Sequence, residues 1–188
     1  MRREFDRAEM TASLSNLLRT YIEICRMRLG PQDLPYSSNV LLITVGLYCL
    51  GSYAVALLIL PADLAAIATI LDLLLLTLFT AILLSLAGLG NRSVQTLTAL
   101  AGTGLVMSAL AFPIVSWSAL AGGHGPVFAI AEVLRAALLI WSLLVTAHIY
   151  RHALSRSYGF GILATLACLT LILLATIVVI PASMNPAK

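Results

Sequence analysis

Charge is what this chain has least of. Asp, Glu, Lys and Arg together make up 10% of its 188 residues, against about 25% in soluble domains. So few charges cannot build a water-facing shell, and a soluble globular domain is excluded. The apolar share is 61% and the mean hydropathy is +1.02. These residues come in long runs, which point to membrane spans rather than to one large core. Helices joined by short loops cannot fold separately in a bilayer, so the chain reads as one domain.

Cysteine is also scarce. Cys25, Cys49 and Cys168 form no CxxC pair and stand near no suitably spaced histidine. Neither a disulfide framework nor a zinc site is expected, and all three read as small buried residues. No HExxH, GxSxG, P-loop or strand-borne GxGxxG occurs. Gly102-Thr103-Gly104 and Gly159-Phe160-Gly161 read as helix-packing glycines. No catalytic residue, metal ligand or cofactor is assigned. The arginines before the first apolar run lack interleaved aromatics, so no nucleic acid is expected as a partner. A cleavable signal peptide and a lipidation motif are likewise not expected.

What is present is a series of five spans, at about 40–60, 64–87, 96–117, 127–150 and 158–180. An apolar run of that length satisfies its backbone only as a helix. The fold class is therefore all-α, an integral membrane bundle of five transmembrane helices covering 39–181, with a short external tail at 182–188. Pro61 and Pro181 read as stops, Pro113 as a kink. Ahead of the spans, 1–38 forms a cytoplasmic segment. Within it Leu14, Leu17, Leu18, Tyr21, Ile22, Cys25 and Leu29 recur at helical spacing, with Asn16, Arg19, Glu23 and Arg26 opposite. That pattern predicts an amphipathic helix over about 13–29, closed by Gly30-Pro31 and docked on lipid headgroups or on protein.

Orientation follows from the basic residues. Arg2, Arg3, Arg7, Arg19, Arg26 and Arg28 precede the first span, and Arg92, Arg151 and Arg156 flank later ones on the same side. The opposite side holds only Lys188. The positive-inside bias places the N-terminus in the cytoplasm and the C-terminus outside, in a cell inner membrane. Arg19, Arg26, Arg28, Arg92, Arg151 and Arg156 then form the cytoplasmic interface.

Three charges fall deep within the apolar runs: Asp72, Glu132 and Arg135. Such charges are costly and need partners. Asp72 and Arg135 lie at matching depths, which permits an ion pair between helices. Glu132 and Arg135, three residues apart, can also pair on one helix. Ser142 and Thr146 continue that stripe, which should face the bundle. The cluster is either a structural latch or a polar cavity. His148 and His152 read as loop or headgroup contacts rather than metal ligands.

The layout resembles one known family. A lead-in with Gly30-Pro31 and Asp33, five closely spaced spans and the link SRSYGFG (155–161) are similar to the Yip1-like five-span membrane proteins, in a bacterial form. Here Gly30-Pro31 precedes Asp33-Leu34, the reverse of the eukaryotic order. The resemblance implies a non-enzymatic protein that binds or organises other membrane components, such as an accessory subunit of a larger complex or a homo-oligomer. It transfers no site residues. The other function in view is a small transporter or channel built on the charge cluster.

Overall fold

In the computed structural model residues 15–184 are described, and among them only helices and turns occur. Leu14, the arginines at 2, 3 and 7, and Lys188 lie outside the described residues. The described part of α1 covers 15–25. Then come α2 (Ser38–Ala56), α3 (Ala62–Leu86), α4 (Ser93–Leu120), α5 (Gly125–Leu154) and α6 (Tyr158–Met184), with short 3-10 turns at Pro31–Asp33 and Gly90–Arg92. The five helices α2 to α6 are long and apolar enough to cross a bilayer.

Several boundaries differ from the expected ones. α1 ends at residue 25, before Gly30-Pro31 is reached. Arg28 N–H donates to Glu23 O at 2.9 Å and Met27 N–H to Ile24 O at 2.8 Å, with Met27 at φ 59. This is a Schellman closure with methionine in the left-handed position, which costs such a residue about 1–2 kcal/mol. Asp33 Oδ2 instead accepts from Gly30 N–H at 2.7 Å and starts the following turn. The polar link after the fourth span is also shorter than Arg151–Ser157. Arg151 and His152 belong to the last turn of α5, where positive charge suits the helix dipole. Ser155 ends that helix in the same left-handed way, at φ 51. Pro181 does not stop α6, which runs on to Met184.

The long helices pack in a closed ring. α2 lies against α4, α4 against α5, α5 against α6, α6 against α3, and α3 against α2. Small residues set the close approaches. A Cβ on Gly161 would run into the Ala147 carbonyl, so α6 meets the α5 backbone there. A Cβ on Gly102 would run into the Tyr21 ring. Polar side chains are absorbed without breaking the apolar surface. Thr44, Thr69, Thr80, Thr98 and Thr165 each donate to the carbonyl four residues earlier in the same helix. Tyr150 Oη and Thr80 Oγ1 are 2.9 Å apart and tie α5 to α3.

The packed core fills one half of the ring, the half that ends in Arg92 and Ser155. It gathers Leu84, Leu100, Ile149, Tyr150 and Ala164, and α1 contributes Tyr21, Ile24 and Cys25. α1 is therefore seated against the bundle by its 17/21/24/25 face. Leu18 and Ile22, which share the expected apolar stripe, stay exposed. The docked face is thus rotated from that stripe, with Ile24 at its centre. Tyr21 Oη lies 2.8 Å from Thr44 Oγ1, Trp141 Nε1–H donates to Cys25 O at 2.9 Å, and His148 Nε2–H donates to Leu29 O at 3.0 Å. Gly102 is nine residues into α4, so α1 reaches about 14 Å past the start of that helix.

Candidate functional site

Beyond that core the helices part, and a cavity of about 560 Å³ opens among them. All five long helices line it, and its walls are mostly aliphatic: Leu76, Met107, Leu138 and Ile172 are examples. Its polar groups are few and come from different helices. α2 supplies Tyr48 and Ser52, α3 Asp72, α4 Thr103 and Ser108, α5 Arg135, Ser142 and Thr146, and α6 Thr165. An apolar chamber with a handful of convergent polar groups is the usual form of a small-molecule site.

The position of Asp72 follows from a chain of packing choices. Gly104 leaves room for the Tyr48 ring: a Cβ there would meet Tyr48 Cε2 at 2.6 Å. Gly51 likewise lets α2 approach α4: a Cβ there would stand 3.2 Å from Ser108 Cβ. The Tyr48 hydroxyl then faces α3 and donates to Asp72 Oδ2. A buried tyrosine hydroxyl needs such a partner, and a carboxylate in an apolar bundle needs such a donor.

No cation among the described residues pairs with Asp72. Among the described residues the ion pairs are Arg26–Glu23 at 3.1 Å, Arg28–Glu23 at 3.6 Å and Arg135–Glu132 at 2.5 Å. The Asp72–Arg135 pair that depth matching permits is not formed. Arg135 Nε also donates to Glu132 Oε2 at 2.9 Å, and Ser118 Oγ donates to Glu132 Oε1 at 2.8 Å. The reason is local: a partner three residues away on the same helix surface reaches Arg135 without crossing the cavity. Asp72 and Arg135 still share one chamber, as do Ser142 and Thr146. Tyr48 was not among the expected site residues. Its signal was a tyrosine in the middle of an apolar span, whose hydroxyl has to be matched.

The interface arginines have separate roles. Arg92 donates to Ala153 O at 3.0 Å and Ser155 Oγ at 2.7 Å, clasping the start of α4 to the end of α5. The Arg151 guanidinium sits 5.7 Å from the centre of the Tyr158 ring. Arg19 and Arg156 are exposed, and Arg26 and Arg28 share Glu23 on the outer side of α1. Beside Arg92 a smaller pocket of about 320 Å³ is bounded by Gln32, Gln95 and His152. Where α1 meets the bundle, burial pushes the Tyr21 hydroxyl up, and the bond to Thr44 offsets part of that. Burial likewise pushes the Cys25 thiol up to about 11. Among the described residues no group of three His, Cys, Asp or Glu side chains gathers as a metal site would require.

No family model matches this chain, and no curated protein or solved structure matches it either.

Proposed function

We propose that this chain is a multi-pass protein of the cytoplasmic membrane that binds other membrane components without transforming them, and that the cavity among its five long helices holds one of them. The single observation that carries the reading is the chamber itself: a mostly aliphatic space of about 560 Å³, lined by every long helix and marked by one carboxylate that pairs with no cation among the described residues. An amphiphile would place its chain along the aliphatic wall and its polar group among the polar side chains that the five helices supply. Turnover is not part of the proposal. The arginine asymmetry supports a cytoplasmic N-terminus and an external C-terminus. The five-span layout is the support for the Yip1-like resemblance and for a role in organising membrane components.

Transport through the same chamber is the second reading. It is favoured by Asp72, since a carboxylate in a membrane-embedded space marks ion and substrate pathways by default. Assembly as an accessory subunit would use the exposed side of α1, where Arg19, Arg26 and Arg28 gather.

Native mass spectrometry of the full chain in mild detergent tests the binding reading. One amphiphile should remain bound per chain, and Thr146→Trp, which puts a bulky ring into the cavity, should weaken its retention while the protein stays folded. A chain that retains nothing in either form would overturn the proposal. Flux in proteoliposomes that Thr146→Trp abolishes would favour transport instead.

A further inference from the structure

We infer that the cavity takes a lipophilic monocation, with the Asp72 carboxylate as its counter-ion. This inference rests on the cavity being the binding site. It names the charge and chemical class of the occupant.

Electrostatics across the chamber decide the sign. Two full charges line the cavity, Asp72 and Arg135. Arg135 is closed on Glu132 by two hydrogen bonds at 2.9 and 2.5 Å, and that pair is neutral. Asp72 has the Tyr48 hydroxyl and, among the described residues, no basic partner. One uncompensated negative charge therefore remains in a mostly aliphatic space, where an ion without a partner is costly. Either a proton or a cation must cancel it. An anionic occupant would have to break the Arg135–Glu132 pair and would stand beside a second like charge. A bare divalent metal ion would find a single carboxylate and no further ligand cluster. An organic cation with an apolar body meets both features: its charge pairs with Asp72 and its body covers the aliphatic wall. The tyrosine ring beside the carboxylate, held against Gly104, adds an aromatic face of the kind that attracts such cations.

Proton and cation then compete for one carboxylate. The other ionisable groups around Asp72 are Tyr48 and Cys49 of α2, Arg135 of α5 and Cys168 of α6. α4 presents none on the cavity wall. The tyrosine and the thiols are neutral and Arg135 is charged throughout the acid to neutral range; Glu132, paired with Arg135, is the other carboxylate beside the cavity, and Asp72→Asn separates its titration from that of Asp72. Lowering the pH protonates the carboxylate, removes the negative charge and weakens the cation.

The experiment is equilibrium binding of tetraphenylphosphonium to the full chain in dodecyl maltoside. The anionic dye 1-anilinonaphthalene-8-sulfonate serves as the opposite-charge probe. Tetraphenylphosphonium should bind once per chain and lose about tenfold in affinity or more as the pH is lowered until the Asp72 carboxylate is protonated. Asp72→Asn should lower its affinity at pH 8 by about tenfold or more and remove the pH dependence. Asp72→Glu should keep both, which covers the case in which Asp72→Asn fails to fold. Arg135→Gln should leave tetraphenylphosphonium binding in place. A folded Asp72→Asn chain that binds tetraphenylphosphonium like the parent would overturn the inference. So would a parent chain whose affinity does not change with pH. Binding of the anionic dye in place of tetraphenylphosphonium, relieved by Thr146→Trp, would also overturn it and leave the cavity reading standing. If neither probe binds and no amphiphile is retained, both fall together.

Discussion

The Tyr48 hydroxyl on α2 donates to the Asp72 carboxylate on α3, so the deepest acidic group of the bundle is held by a neutral residue. This bond joins two neighbouring helices of the ring and turns the carboxylate toward the cavity.

Removing the donor should therefore be felt. Tyr48→Phe leaves a largely enclosed carboxylate without its partner and should lower stability by about 1–3 kcal/mol. Combined with Asp72→Asn, the two losses should be far from additive, with a coupling of about 0.5–3 kcal/mol. The corresponding cycle between Asp72 and Arg135 should give the smaller coupling, because these residues share the cavity but form no ion pair. Thermal unfolding of the variants in detergent decides it. A large coupling to Arg135 and none to Tyr48 would reverse the assignment.

Gly102 and Tyr21 make the second test. A methyl at position 102 meets the Tyr21 ring, so Gly102→Ala should destabilise the chain by about 1–3 kcal/mol and loosen α1. In a Tyr21→Ala background the same change should cost under about 0.5 kcal/mol, since the obstruction is gone. Equal losses in both backgrounds would mean that α1 is not seated on α4. Leu18→Glu and Ile22→Glu, on the exposed side, should leave this docking intact.

Cys25 gives a chemical readout of the same contact. Its thiol is raised by burial from an ordinary 9.0 to about 11, which lowers the thiolate fraction at neutral pH by about a hundredfold. Maleimide labelling, resolved by mass spectrometry, should leave Cys25 unmodified while α1 is docked. The linkage has a definite sign. The folded value lies above the unfolded one, so the contribution is fully present below pH 9 and is lost as pH rises through about 11. Fast labelling of Cys25 at neutral pH in the folded chain would contradict the docked helix.

Topology is tested independently of any site. Reporter fusions after Arg92 and Arg156 should read as cytoplasmic, and fusions after Gly123 and Lys188 as external. A cytoplasmic C-terminus would remove one of the five crossings.

The long helices were legible in the sequence because their signal is additive and local. Twenty apolar residues in a row admit one backbone solution, and no distant contact is needed to see it. The Glu132–Arg135 pair was legible for the same reason, since three residues of helix bring the two side chains together wherever the helix lies. Helix ends were less so. Gly30, Pro181 and the basic stretch from Arg151 all read as breaks, yet the chain closes α1 at Met27 and carries α5 to Leu154. Tertiary packing stabilises a left-handed methionine there that local preference disfavours.

Which residues meet across the ring was decided by the tertiary structure alone. Depth along a helix says which side chains share a level, not which way each helix is turned. The partner of Asp72 depended on how closely α2 could approach α4 at Gly51 and Gly104. The docked face of α1 depended on the gap that Gly102 leaves for Tyr21. Hydrophobic periodicity marks a face to within a stripe. Contact between backbones at small residues sets the rotation, and with it the chemistry of the cavity.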